Sequence, residues 1–355
     1  MRLQRDVPLA PLTTLRLGGA ASHVAVVDRE ADVADAMAEG DRLGGPVFVL
    51  GGGSNVVVAD EGVGGLVVRM ASRGVEVAKA GGVARWTLAA GEPWDGFVAR
   101  AVDEGCSGVE ALAGIPGLVG AAPVQNIGAY GQEVRDTLAS VRAYDREARA
   151  LVDLAAADCA FGYRTSRLKT TGRYVVTAVT FALAAHDRSA PVAYPELARA
   201  LGVELGDRAP LGRVRDAVLA LRRSKGMLAE GADPESVSAG SFFVNPVVDA
   251  AGLARVVAGA VGLGAVTGEA EVPRHGAGEG RWKVPAAWLI ERAGFSRGFT
   301  MGRVRVSRRH ALALVNDGAG TTRELLALAR VIARGVEDRF GVRLAPEPVM
   351  VGCAW

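Results

Sequence analysis

ALAGIPGLVGAAPVQNIGAYGQ, residues 111–132, is a run of twenty-two residues without a charged side chain, set between Glu110 and Glu133. It carries five glycines (Gly114, Gly117, Gly120, Gly128, Gly131) and two prolines, Pro116 and Pro123. Glycine lets a backbone take positive φ and come close to a ligand, and proline rules out an uninterrupted helix. The stretch reads as a loop built to wrap something. A membrane span is the weaker reading, because it needs about 20 mainly apolar residues and Gln125 and Asn126 interrupt this run. A glycine-rich loop packed for its own sake stays open on these residues alone.

Upstream lies LGGGSNVVVAD at 50–60. Its successive backbone N–H groups in a tight turn make a concavity that suits a diphosphate. The apolar runs VFVL at 47–50 and VVV at 56–58 read as strands joined by the glycines, and an ordinary hairpin is the bland alternative. A dinucleotide-binding GxGxxG would open a helix and be followed by an acidic residue about 20 positions on; here valine takes the third place and a strand comes next. Further out, a helix is expected from Glu30 to Leu43, stopped by Gly44 and Gly45, and another after Pro93, with Trp94, Phe97, Val98, Ala101 and Val102 as its buried stripe. Arg142 to Val152 and Tyr174 to Leu183 read as strands. Leu211 to Arg223 reads as a helix carrying Val214, Val218, Leu219 and Arg222, with a domain boundary near 225. Pro285 opens a helix through Ile290, and Thr321 with Glu324 makes a capping box for a long helix ending at Gly341. The proline-rich tail returns as a strand. β-Branched runs bounded by glycine thus alternate with amphipathic helices, a mixed α and β chain without internal repeats.

With 355 residues the chain is long enough for two or three domains. Its 41 basic and 39 acidic residues leave a net charge of +2, so no global field gathers nucleic acid or anionic membrane, and an anionic ligand must be held locally. Cys106, Cys159 and Cys353 have no CxxC spacing and read as buried thiols of a reducing compartment. His23, His186, His275 and His310 form no ligand pattern, so no metal is expected. The first residues lack the apolar core of a signal peptide, and a cytoplasmic protein is expected.

Three further segments carry candidate chemistry. FGYRTSRLK at 161–169 sets Arg164, Arg167 and Lys169 beside Phe161 and Tyr163; a structural pair between Arg164 and Asp158 is the plainer reading. AGSFFVNP at 239–246 shapes a loop around Ser241 and Asn245. LAPEPVMVG at 344–352 isolates Glu347 between two prolines on an apolar strand, an odd place for a solvated carboxylate. Arg297, Arg303, Arg305, Arg308 and Arg309 form the one basic concentration; without stacking aromatics it reads as a solvated face, not a nucleic-acid site.

GGGSN, IPGLVGAAPVQNIGAYG, YRTS, GSFFVNP and LAPEPVMVG follow one another in that order, and together they resemble the UDP-N-acetylenolpyruvoylglucosamine reductases, the UDP-N-acetylmuramate dehydrogenases of bacterial cell-wall synthesis. The resemblance covers essentially the whole chain, and PVAYPELARAL points to the subclass whose longer loop folds over substrate. It implies an α+β chain: a two-subdomain FAD-binding fold of the vanillyl-alcohol oxidase (PCMH) type plus a C-terminal α+β substrate-binding domain. The expected division is 1–71 with 342–355, then 72–224, then 225–341. The resemblance implies non-covalent FAD, NADPH as electron donor and UDP-N-acetylglucosamine enolpyruvate as substrate, with monomer as the default state and neither nucleic acid nor membrane insertion. Hydride would pass from flavin N5 to C3 of the enolpyruvyl ether, with a proton from Ser241 to C2. Arg164, by charge pairing, and Glu347, by donating a hydrogen bond while protonated, would stabilise the enolate-like charge. Cofactor contacts are implied at Leu50, Gly51, Gly52, Gly53, Ser54 and Asn55, and at Gly114, Pro116, Gly117, Gly120, Ala121, Gln125, Asn126, Gly128 and Ala129. Tyr130, Tyr194, Lys225 and Asn245 would hold the substrate. The chain departs from the family at Val272, where an aromatic residue is frequent, and in a glycine-rich insertion around it. A flavin oxidase of the same fold and a non-catalytic nucleotide-sugar sensor are the competing functions; covalent flavin is disfavoured, because neither glycine segment holds a His or Cys.

Overall fold

The structure, a computed structural model, describes residues 1–229, 231 and 233–355. The chain divides into two compact units, the first made of residues 1–7, 21–53 and 63–224, the second of 8–20, 54–62 and 225–355.

In the first unit a four-stranded sheet runs in the order Arg2–Pro8, Ala20–Val27, Val63–Met70, Val47–Leu50. The last three strands are parallel, as β-branched runs buried on both faces tend to be. The helix Asp32–Leu43 packs beside them and ends where Gly44 takes φ 69°, a conformation that costs glycine nothing. A second, antiparallel sheet has the order Ala150–Ala155, Leu138–Asp145, Tyr174–Ala185, Val83–Ala89, Val75–Ala80. Along Val83–Ala89 burial alternates: Ala84, Trp86 and Leu88 face the core, and Val83 and Arg85 are exposed. Trp86 meets Phe97 of the helix Trp94–Asp103, and Phe97 meets Trp94 of the same helix and Phe181 of the long strand, with ring centroids 5.0–5.8 Å apart across the cluster. Edge-on and offset ring packing of this kind adds about 1 kcal/mol per pair to the area buried. The single strand expected from Arg142 to Val152 is instead a hairpin. Asp145 Oδ1 accepts from Glu147 N and Ala148 N at 3.0 and 3.2 Å, an Asx turn that reverses the chain, and Arg149 closes it at φ 52°.

In the second unit a four-stranded sheet has the order Ser238–Ser241, Ala313–Asn316, Val304–Val306, Thr300–Met301. The helix Thr322–Phe340 covers an apolar core containing Leu314, Leu325, Ile332, Val336 and Phe340. Its capping box is formed as the sequence demands, Thr321 accepting from Glu324 N and Glu324 reaching back to Thr321 N at 2.9 Å. Val56–Val58 pairs in parallel with Val349–Val351 of the tail. The glycines after Leu50 therefore pass the chain from one sheet into another, and the hairpin alternative is excluded because Val47–Leu50 and Val56–Val58 pair with different strands. Residues 342–355, grouped with 1–71 in the division expected from the sequence, cluster with 225–341. Val272 is 2% exposed and belongs to this core.

Candidate active site

Close backbone approach defines the glycine segments of the first unit. A Cβ on Gly52 would lie 2.6 Å from Gly117 Cα, one on Gly51 3.0 Å from Ala121 Cβ, and one on Gly120 2.5 Å from Ala90 Cβ. Main chain thus packs on main chain, which only glycine permits. Gly53, Gly114 and Gly117 have φ of 65°, 69° and 130°. Hydrogen bonds fix the loop: Gly117 O accepts from Trp94 N, Gly120 N donates to Ala90 O at 2.9 Å, and Gly114 N donates to Asp95 Oδ1 at 2.6 Å. Leu50 and Gln125 are buried, while Pro116 and Ala121 keep exposed surface.

The end of the loop is a two-residue hairpin, Gly128–Ala129 paired with Gln132–Glu133 around Tyr130 and Gly131. Both central residues have positive φ, 48° and 88°, the signature of a type I′ turn. Asn and Gly are the usual occupants, so a tyrosine there is a backbone held against its preference.

Three side chains lace this loop to the YRTS segment. Asn126, fully buried at φ 46°, donates from Nδ2 to Gly162 O at 3.1 Å and Glu133 Oε2 at 2.9 Å, and its Oδ1 accepts from Arg135 N at 3.0 Å. Ser166 Oγ donates to Val124 O at 2.7 Å, and Arg164 Nη2 donates to Gly128 O at 2.7 Å. The Asn126 side chain is thereby committed to the protein itself, so a cofactor contact there falls to its backbone. Arg164 sits in a tight turn closed by reciprocal bonds between Gly162 and Thr165, at φ 56°. Its guanidinium lies 5.8 Å from the Tyr163 ring centroid. The pair with Asp158 is not made; Asp158 Oδ2 accepts from Ala155 N at 3.0 Å.

Tyr130 and Tyr194 meet edge to face, centroids 5.6 Å apart at 89°. Burial pushes the Tyr130 phenol up to about 12, opposed by the nearby Arg222 cation and helped by Glu196. Burial also raises the Tyr194 phenol. Arg222, 7% exposed, is the residue sequence reasoning undervalued. Burial holds its guanidinium below the ordinary range, Tyr130 and Asp95 opposing and the like charge of Arg164 adding to the lowering. The signal was present: Arg222 continues the i, i+4 stripe of Val214 and Val218, where an apolar residue belongs.

The second unit holds the other candidates. Ser238 opposes Val315 and Ser241 opposes Ala313, so one extra residue sits on the serine strand, where Gly240 takes φ 71°. This is a β-bulge, a device that re-aims the side chain after it, here Ser241. The segment then pairs with the tail: Val244 N donates to Ala345 O, Glu347 N donates to Phe242 O at 2.8 Å, and Phe243 bridges Pro346. Asn55 Nδ2 donates to Glu347 O at 3.3 Å, and Val349 N donates to Asn55 O. Three motifs far apart in sequence thus converge on Glu347, itself half-buried. Asn245 Oδ1 accepts from Ala286 N at 2.9 Å and so caps the helix Ala286–Arg292. Lys225 and Ser54 are half-buried.

Of the arginine run, Arg297, Arg303, Arg308 and Arg309 are exposed, as a solvated face requires, while Arg305 turns inward. Arg305 pairs with Glu235 at 2.8 Å, both nearly buried, Arg309 with Asp233 at 2.7 Å, and Arg303 with Asp317 at 3.4 Å. Glu235 also accepts from Ser307 Oγ and Arg308 N; burial raises its carboxyl, but these donors outweigh it and hold the group below its ordinary value. Cys106 and Cys159 are buried and Cys353 partly so, all unbridged, and burial raises Cys159 to about 11. Among the described residues no group of metal-ligating side chains is present, and no helix is long and apolar enough to cross a membrane.

A family model described as UDP-N-acetylenolpyruvoylglucosamine reductase, C-terminal domain, matches residues 233–351, and one described as FAD binding domain matches 21–152. A UDP-N-acetylenolpyruvoylglucosamine reductase of Thermobifida fusca is 51% identical over 352 residues, covering 98% of both chains. Another of Streptomyces coelicolor is 49% identical over 354 residues, covering 98% of this chain and 90% of its own. The crystal structure of the reductase from Thermus caldophilus matches with a TM-score of 0.65 at 24% identity, over 99% of each chain, a likeness of fold.

Proposed function

The chain belongs to the UDP-N-acetylenolpyruvoylglucosamine reductase family, and on that premise we propose that Arg164, Ser241 and Glu347 carry its catalysis with NADPH as the electron donor. It is an FAD-dependent oxidoreductase that reduces UDP-N-acetylglucosamine enolpyruvate to UDP-N-acetylmuramate in peptidoglycan precursor synthesis.

The residues of the first unit fit the cofactor. Backbone pressed on backbone at Gly52 and Gly117 leaves a lining of peptide groups, which suits a diphosphate, and neither segment offers a His or Cys for a covalent tether. When bound, FAD supplies the hydride relay, accepting from NADPH and returning the hydride from N5 to C3 of the substrate. The chain's own groups manage the charge that results. The Arg164 guanidinium pairs with the substrate carboxylate, and the Glu347 carboxyl donates a hydrogen bond to the developing enolate. Ser241 Oγ gives its proton to C2, a step a weak acid can perform because the carbanion is a strong base. Lys225, Tyr194 and the Asn245 amide hold the nucleotide diphosphate, Tyr130 lies at the sugar and phosphate region, and Arg222 adds a buried cation suited to an anionic substrate. The observation that carries this reading is the bond from Glu347 N to Phe242 O, which sets Glu347 beside the serine segment within one unit.

We also read the protein as a cytoplasmic monomer that takes neither nucleic acid nor membrane. The division 1–71 with 342–355, 72–224 and 225–341 is our proposal for its functional parts, supported by the parallel and antiparallel sheets falling on either side of residue 71. One anaerobic experiment tests the chemistry. The purified yellow protein should bleach with NADPH and recolour with the enolpyruvyl substrate, while Ser241→Ala bleaches at the same rate and fails to recolour. Equal slowing of both half-reactions by Ser241→Ala removes the proton from Ser241.

A further inference from the structure

Glu110 has no exposed surface, yet it carries a carboxylate. Its Oε2 accepts from Gly108 N at 2.6 Å, and its Oε1 accepts from Ala190 N at 2.8 Å and Ser107 Oγ at 3.5 Å. These donors are neutral, so the charge is carried by peptide dipoles, a costly way to fill a core unless the hydrogen bonds themselves are needed. The bond to Ala190 crosses 80 positions of sequence. Ala190 stands four residues before Tyr194, on a segment tied on its other side to residues 206–211: Ser189 N donates to Ala209 O, Val192 N to Asp207 O, and Gly206 N to Val192 O. The next residue in sequence after Glu110 grips the second tyrosine loop. Ala111 N donates to Gln132 Oε1 at 2.8 Å, and Gln132 pairs with Ala129 in the hairpin that Tyr130 turns. One short turn, Glu110–Leu112, therefore anchors both loops whose tyrosines meet edge to face.

We propose that Glu110 is a positioning residue for substrate: its carboxylate fixes the Tyr194 segment against the Tyr130 hairpin, so that the two phenols are set before the nucleotide-sugar diphosphate arrives. The proposal rests on the reading of Tyr194 as a substrate contact. Preorganisation of this kind acts on binding affinity and leaves the flavin's reaction with its electron donor untouched.

Glu110→Asp is the informative variant. It keeps the charge and the local bond to Gly108, but withdraws the carboxylate by one methylene from Ala190. The Kd of UDP-N-acetylglucosamine enolpyruvate is read from the flavin absorbance of oxidised holoenzyme, with no turnover, alongside FAD content and the rate of anaerobic bleaching by NADPH. Glu110→Asp should raise that Kd about ten-fold, the worth of one hydrogen bond to a charged group, with FAD content and bleaching rate unchanged. Tyr194→Phe should also raise it, and the double variant should be no worse than the larger single effect, since both act through one phenol. An unchanged Kd in Glu110→Asp, additive effects in the double variant, or equal losses in binding and bleaching overturn the proposal. A raised Kd in Glu110→Asp with an unchanged one in Tyr194→Phe breaks the substrate reading of Tyr194 instead, and the coupling with it. Should Glu110→Asp fail to fold, Glu110→Gln, which preserves the side-chain shape, enters the same cycle with the same criteria.

Discussion

The two units hold their candidate residues by different means. In the first, the candidate surfaces are loops, and their side chains are largely spent on holding them: Asn126, Ser166 and Arg164 all bond to loop backbone. Non-glycine residues stand at positive φ at Asn126, Tyr130 and Arg164, so the loop conformation is imposed by its anchors against local preference. In the second unit, Ser241, Asn55 and Glu347 sit on or beside paired strands, and the one irregularity is a glycine bulge. Imposed loops should lose cofactor when an anchor whose side chain is wholly committed to them, such as Asn126, goes. Paired strands should lose chemistry while keeping fold and flavin.

Four measurements press on that contrast. The largest effect is expected at Arg164→Gly. Glycine relieves about 1 kcal/mol of left-handed strain and loses a hydrogen bond of similar worth, so Tm should move little. The rate of recolouring by substrate should nevertheless fall by about 10³-fold, the scale of a lost transition-state charge contact. A large drop in Tm with preserved rate would make Arg164 a structural residue. Next comes Asn126→Leu, which removes the acceptor of Arg135 N and the side-chain donor to Gly162 O and Glu133, and puts an apolar group in a fully buried polar position; it should cost about 2–4 kcal/mol, with flavin released on dilution. Retained yellow colour and unchanged unfolding would mean that the loop holds itself.

A glycine pair sharpens the contrast further. Gly52→Ala places a methyl against Gly117 backbone and should empty the flavin site. Gly240→Ala, with Met227 Cε 4.0 Å away as its nearest neighbour, should cost about 1–2 kcal/mol for its left-handed backbone and lower kcat at full FAD content. Flavin loss in both would erase the distinction. The smallest effect is electrostatic. Asp145 is held at about 2, chiefly by hydrogen bonds from the Arg173 guanidinium. Its folded pKa is depressed, so its stabilising contribution is present above the unfolded value of about 4 and is lost as pH falls through the folded one. Acid unfolding between about pH 4 and 2 should be less steep in Asp145→Asn, and an unaltered slope would count against the pair.

Much of the local architecture was legible in the chain. The Thr321–Glu324 box, the glycine stops at 44 and 341, and the strand VFVL depend on backbone preference and short-range bonding, and they stand where the sequence puts them. The inward turn of Arg305 was not legible, because its partner Glu235 lies 70 residues upstream, beyond any pattern of spacing. Arg222 hid inside an apolar stripe. The hairpin alternative at GGGSN survived inspection because turn chemistry does not record which sheet the next strand will join.

The sequence by itself determined the family and the places where the backbone must bend, since φ restriction and side-chain chemistry belong to single residues. Tertiary structure decided the pairings: Glu347 beside Phe242, Asn126 turned inward onto Gly162, Glu110 reaching Ala190. A buried donor or acceptor takes whichever partner chain closure brings within about 3 Å, and that choice is made by the whole fold.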